Sequence, residues 1–156
     1  HDTRGPVALA GEGLKAPVPH DVQAVSGGGA RTISIWAKVE AGNAVGSQIL
    51  VSTGGGIDGN GETYDLGFVG GCLAVLSCND RRHASACGQG LDDGRWHHLA
   101  ATFDGTVSHL FVDGRLVGKS RLVLDTHAGG IRYGVRNGCD AAGPLSGFVQ
   151  DLRLFD

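Results

Sequence analysis

Methionine is absent from this 156-residue chain, glutamate occurs only as Glu12, Glu40 and Glu62, and the aromatic residues are two Trp, two Tyr and five Phe. Each shortage excludes something. No glutamate lies two residues from an aspartate, so the ExDxE type of strand that offers two carboxylates about 5 Å apart for glycoside hydrolysis is not written here. No GxSxG marks a serine nucleophile. The glycine loop STGGGIDGNG lacks the Lys-Ser/Thr of a phosphate-binding loop and leads into a strand-like run. No apolar run approaches the roughly 18 residues that span a bilayer. Thirteen Lys and Arg against sixteen Asp and Glu give a net charge of -3 without a basic run, which argues against nucleic acid and anionic membranes as partners.

What is abundant is glycine, with 28 residues clustered at Gly27 to Gly29, Gly54 to Gly56, Gly70-Gly71 and Gly129-Gly130. Glycine costs about 1 kcal/mol at each interior helix position, so long helices are excluded. The runs between the clusters are short and rich in Val, Ile, Leu, Phe and Thr, the pattern of an all-β sandwich or barrel. No repeat or composition break divides residues 1–156, so one domain is expected. The chain opens at His1 with neither an initiator Met nor a signal peptide, and is expected to be a mature or excised fragment.

Strands follow from local pattern. Thr32 to Val39 alternates Ile33, Ile35, Ala37 and Val39 with Thr32, Ser34, Trp36 and Lys38, a period of two. Gln48 to Ser52 and Tyr64 to Val69 are short apolar runs, and Gly70-Gly71 is a two-residue hairpin turn returning through Cys72 to Cys78. Asp104-Gly105 and Asp113-Gly114 are turn signals that fold Trp96 to Phe103, Ser108 to Val112 and Arg115 to Gly118 into a meander. In the last run, Gly147 to Phe155, the inward residues are expected to be Phe148, Leu152 and Leu154. Neighbouring side chains on a strand face apart, so His97 and His98 do not chelate one metal and are expected to be structural.

The order of ALAGEGLKAPVP, TISIWAKV, QILVSTGGG, YDLGF, DDGRWHHLAATFDG, HLFVDGRLVG and LSGFVQDLRLFD resembles the laminin-G-like, concanavalin-A-like jelly roll, the superfamily that includes pentraxins. That resemblance implies a two-sheet antiparallel β-sandwich of about six strands per sheet. It also implies a secreted or cell-surface recognition module that often holds calcium at one rim.

Residues suited to a cation are Asp58, Asn60 and Glu62, at every second position of a glycine-rich loop, since hard cations take oxygen ligands. The pentraxin resemblance places a second loop, with Asn137 and Asp140, beside them. The expected metal set is therefore Asp58, Asn60, Glu62 and Asp140 around Ca²⁺. The expected ligand-contacting set is Asp58, Asn60, Asn137 and Asp140, with Tyr64 and Tyr133 as the aromatics nearest these polar loops.

Four cysteines without zinc spacing point to two disulfides and an oxidising, extracellular compartment. Cys72 and Cys78 sit at opposite ends of one strand, about 20 Å apart, too far for a disulfide. Two pairings remain. A hairpin turn at Asn79-Asp80 would oppose residues 78 and 81 and hence 72 and 87, which selects Cys72 with Cys87 and leaves Cys78 with Cys139. The first functional expectation is a non-catalytic module for glycan or protein recognition or adhesion, acting through rim loops or the concave sheet with calcium assistance. An assembly domain of a larger surface protein, or a glycan-degrading enzyme of the same fold, are the alternatives.

Overall fold

A computed structural model describes residues 5–10, 26–42, 46–55, 63–77, 80–134 and 145–156. Among the described residues eleven strands and no helix are present, so no helix there is long and apolar enough to cross a membrane. The strands are β1 (Val7–Ala10), β2 (Arg31–Val39), β3 (Ser47–Gly55), β4 (Thr63–Val69), β5 (Cys72–Ser77) and β6 (Asp80–Ala86), then β7 (Trp96–Phe103), β8 (Val107–Val112), β9 (Arg115–Arg121), β10 (His127–Tyr133) and β11 (Ser146–Phe155). They form an antiparallel six-stranded sheet in the order β1-β11-β2-β7-β8-β9 and a five-stranded one in the order β10-β3-β4-β5-β6. This is the two-layer all-β sandwich expected from the glycine spacing.

Between the sheets lies one core, to which β2 contributes Ile33, Ile35, Ala37 and Val39 as its alternation requires. β4 supplies Tyr64, Leu66 and Phe68, and β7 supplies Leu99, Ala101 and Phe103. The two sheets differ in their outer faces. Along β3, β4 and β5 nearly every residue is buried, including the outward Ile49, Asp65, Ala74 and Leu76. Strands buried on both faces read as continuous apolar runs rather than alternating ones, which is how QILV and CLAVL read. Gly67 belongs to this close packing: a Cβ there would sit 2.1 Å from the Gln48 carbonyl oxygen.

Turn chemistry accounts for the meander. Gly70 and Gly71 take φ of 56° and 80°, and Asp113 and Gly114 take 48° and 80°, the left-handed pairs that a two-residue hairpin needs. Asp104 accepts the Thr106 and Val107 N–H groups on one carboxylate oxygen, an Asx turn. The Cys72–Cys87 disulfide is formed, one step beyond the Leu73↔Ala86 pair. The register holds through Val75↔Ala84 and then shifts by a bulge to Ser77↔Asp80. The expected opposition of 78 with 81 is therefore replaced by that of 77 with 80.

β11 corrects the expected inward set. Val149 and Leu152 are buried, whereas Phe148 is 38% exposed. A bulge between Gln150 and Arg153, with Asp151 at φ 53°, inserts one residue and reverses the alternation between its two halves. β1 and β10, which no sequence pattern had marked as strands, close the far edges on β11 and β3.

Two rims result. Arg31, Phe103 and Phe155 end the six-stranded sheet on the same side as Gly55, Thr63 and Ser77, since the Arg31 guanidinium stands 6.0 Å from the centre of the Tyr64 ring. Val39, Ser146 and Trp96 mark the other rim together with Ser47 and Val69, where Gly70 N–H donates to the Gly46 carbonyl.

Candidate functional site

The RWHH stretch at the start of β7 shows how the register distributes side chains. Trp96 opposes Lys38, His97 opposes Ala37 and His98 opposes Trp36. Trp96 and His98 therefore stand on the outer face, and His97 on the inner side at the second rim. There its imidazole bridges two carboxylates, with Nδ1 2.9 Å from Asp113 Oδ2 and Nε2 3.2 Å from Asp93 Oδ1. Burial works against its charge, but the hydrogen bonds and charges of Asp113 and Asp93 outweigh it and its pKa rises. Asp113 also accepts the His98 N–H and donates its own to the His98 carbonyl. The cluster fastens the β8–β9 turn and the turn at Asp93 to the start of β7. Both ring nitrogens are engaged, so this histidine is structural, as the sequence pattern implied.

The outer face of the six-stranded sheet is open. Cross-strand partners share a face, with Cβ atoms about 4.5–5.5 Å apart, so the registers arrange its side chains in rows. One row runs Ala8, Phe148, Lys38, Trp96, and the next runs Gln150, Trp36, His98. Then follows Arg153, Ser34, Ala100, Phe111, Leu116. Small Ala8 leaves the Phe148 ring uncovered, and His98 props Trp36 edge-on, with ring centres 5.3 Å apart. Ser34 and Ala100, 8% and 9% exposed, lie beside the Trp36–His98 pair on this face. Among the described residues no hydrogen bond or ion pair engages the Trp36 and Trp96 indoles, the Lys38 ammonium or the Ser34 hydroxyl.

This shelf was missed as a site. Its signal was present in TISIWAKV, where Trp36 and Lys38 fall in phase with the polar Thr32 and Ser34 rather than with the apolar face.

The expected polar-loop site fares differently. Tyr64 is wholly buried, and its hydroxyl lies 3.1 Å from Ser108 Oγ. Burial drives its phenol pKa far upward, more than the Ser108 hydrogen bond lowers it. Tyr133 is also buried. Both rings fill the core, so neither offers a face to a ligand. A cleft of about 10 Å³, room for about one water molecule, lies beside Arg31, Tyr64 and Phe155. It is smaller than sites that enclose a drug-sized ligand, and Arg31 spends donors on the Gly27 and Gly29 carbonyls and Thr126 Oγ1.

Asp58, Asn60, Glu62, Asn137, Asp140, Cys78 and Cys139 lie outside the described residues. The strand ends that flank them are described. Segment 56–62 leaves Gly55 and returns at Thr63 on the first rim. Segment 135–144 leaves Gly134, bonded to the Leu50 carbonyl, and returns beside Ser146, bonded to Glu40 N–H at the second rim. β10 ends opposite Val51 in the middle of β3, and the expected neighbourhood of the loops bearing Asp58 and Asp140 lies outside the described residues. Among the described residues no group of three or more His, Cys, Asp or Glu could hold a metal ion.

A laminin G family model, described as the concanavalin A-like lectin/glucanases superfamily, matches residues 11–156. No curated protein matches the sequence. Among solved structures, the LG4-5 domains of the mouse laminin alpha1 chain align at 20% identity and a TM-score of 0.62, over 97% of this chain and 38% of that one. The chain thus spans well under half of that laminin fragment. The CBM40 domain of the Ruminococcus gnavus IT-sialidase bound to alpha2,6 sialyllactose aligns at 22% identity and a TM-score of 0.67, over 97% and 90% of the two chains. The binding domain of botulinum neurotoxin DC in complex with SialylT aligns at 12% identity and 0.58, over 81% and 32%. At these identities the likeness is one of fold.

Proposed function

The chain belongs to the laminin G family of the concanavalin A-like lectin/glucanases superfamily, and on that premise we propose that it is a non-catalytic extracellular module that binds a glycan through the outer face of its six-stranded sheet. One observation carries the reading: this face is open and bears Trp36, Trp96 and Phe148, while the central strands of the five-stranded sheet are buried on both sides. Sugars present one apolar face and a rim of hydroxyls, so an aromatic shelf beside unspent polar groups suits them. The indole N–H groups, the Lys38 ammonium and the Ser34 hydroxyl are such groups. Recognition rather than hydrolysis is supported by the want of a paired-carboxylate string. The sialyllactose-bound CBM40 fold adds support by analogy alone. The cysteine usage supports an oxidising, extracellular setting.

Calcium belongs to this proposal at Asp58, Asn60, Glu62 and Asp140, whose oxygens suit a hard cation, with Asn137 beside Asp140 as a ligand contact.

A glycan array probed with the wild type and Trp36→Ala tests the face. Expected is a set of bound glycans that the substitution weakens by about tenfold or more, equivalent to losing roughly 1.4 kcal/mol of stacking. Retention of all binding by Trp36→Ala would remove this face from consideration.

A further inference from the structure

The sheet face carries a charge pattern that the sequence does not display. We infer that Lys38 selects an acidic glycan, one bearing a carboxylate or a sulfate, at the shelf formed by Phe148, Trp96 and Trp36. The inference rests on the glycan reading above and specifies the ligand's class.

Lys38 stands between Phe148 and Trp96 in its row, and Trp36 lies two residues back on the same strand and face. Three aromatic side chains therefore surround the Lys38 position on this face. No hydrogen bond or ion pair engages it among the described residues, and it is half-buried. The nearest acid on its own strand's continuation, Glu40, forms no ion pair with it. Further along the face, Lys119 and Arg121 carry additional positive charge at exposed positions opposite His109 and Val107. Asp151 is spent in a two-point pair with Arg153, each contact 3.1 Å. The face thus holds unneutralised cations although the whole chain is net negative, and an anion is the complementary charge.

A carboxylate or sulfate over Lys38 would accept a charge-assisted hydrogen bond at a half-buried position, where such bonds are stronger than in bulk water. The indoles of Trp36 and Trp96 lie on the same face, and Ser34, 8% exposed and without a hydrogen-bond partner among the described residues, carries a hydroxyl there for the remainder of the sugar. An acidic peptide would satisfy the charge but leave the aromatic shelf unused, so the sugar is the occupant the face favours.

Calorimetric titration with three probes tests this: 3'-sialyllactose for a carboxylate, 3'-sulfated lactose for a sulfate, and lactose as the shared neutral core. At least one acidic probe is expected to bind about tenfold or more tightly than lactose, the scale of one hydrogen bond to a charged group. The tighter of the two names the source of the anion. Lys38→Gln should abolish the preference, so that the acidic probes bind no more tightly than lactose, while Trp36→Ala should weaken all three. Raising the salt from 0.05 to 0.5 M should erode only the preference. Equal binding of lactose and both acidic probes, or a preference that survives Lys38→Gln, overturns the role of Lys38 while the glycan face stands. Indifference of every probe to Trp36→Ala overturns the face itself. Binding of hexaglutamate that requires Lys38, with no binding of any sugar, overturns the glycan as occupant. An unchanged melting midpoint in Lys38→Gln shows that these losses are not loss of fold.

Discussion

His97 is the described residue on which pH acts most directly. Its pKa is raised in the folded state, with Asp113 and Asp93 on either side. A raised folded value means that its stabilisation is complete below the unfolded histidine value near 6.5 and is lost as pH rises through the folded one. The pKa of Asp93 is lowered, chiefly by the Arg95 N–H, and that of Asp113 is lowered through His97 despite the opposing effect of burial. Their stabilisation is present above the usual carboxylate range and lost as pH falls through their depressed values. The clasp is therefore strongest in mildly acidic solution. The melting midpoint of the wild type should exceed that of His97→Ala most at about pH 5.5, with the gap narrowing toward pH 8.5; a gap that widens with pH would contradict the assignment. Strand alternation, being local, places this side chain and that of His98 on opposite faces. It could not foresee the two aspartates, one four residues before His97 and the other in a turn sixteen residues after it.

At the level of elements, bulges decide what alternation alone leaves open. TISIWAKV has none, and its inward residues are legible from its spelling. GFVQDLRLF has one at Asp151, and Phe148 consequently faces out. Left-handed backbone costs an ordinary residue about 1–2 kcal/mol and a β-branched one more, whereas glycine adopts it freely. Asp151→Gly and Asp151→Val both delete the exposed pair with Arg153, which contributes little. In chemical denaturation the valine variant should be less stable than the glycine one by about 1–2 kcal/mol, and equal stability would mean that the bulge relaxes. The hairpin of β5 and β6 was legible from arithmetic on its register, and its disulfide spans a sequence separation of 15. Closing a loop of that length restrains the unfolded chain by roughly 3 kcal/mol. Replacing Cys72 and Cys87 together by serine should lower the midpoint by roughly 6–12 °C at this size, and leave sugar binding intact because β6 lies in the other sheet.

For the molecule as a whole, the test of calcium is a melt with and without EDTA, since an ion that binds only the folded state raises its stability in proportion to occupancy. If Asp58, Asn60, Glu62 and Asp140 hold calcium, EDTA lowers the midpoint of the wild type and not that of Asp58→Ala; an unchanged wild-type midpoint retires the ion. Sugar binding on the sheet face should persist in EDTA, because none of the groups assigned to it lies in segment 56–62 or 135–144. Glycine spacing, period-two runs and Asp-Gly turns determined by themselves that this chain is an all-β sandwich, and hairpin counting determined that Cys72 meets Cys87. Those are short-range facts, set by backbone sterics within a few residues. Only the tertiary structure decided that Tyr64 fills the core and that Trp36, Lys38, Trp96 and Phe148 share one open face. These depend on which strands pair and in what register, and Lys38 and Phe148, 110 positions apart in the chain, become neighbours only when β11 docks on β2.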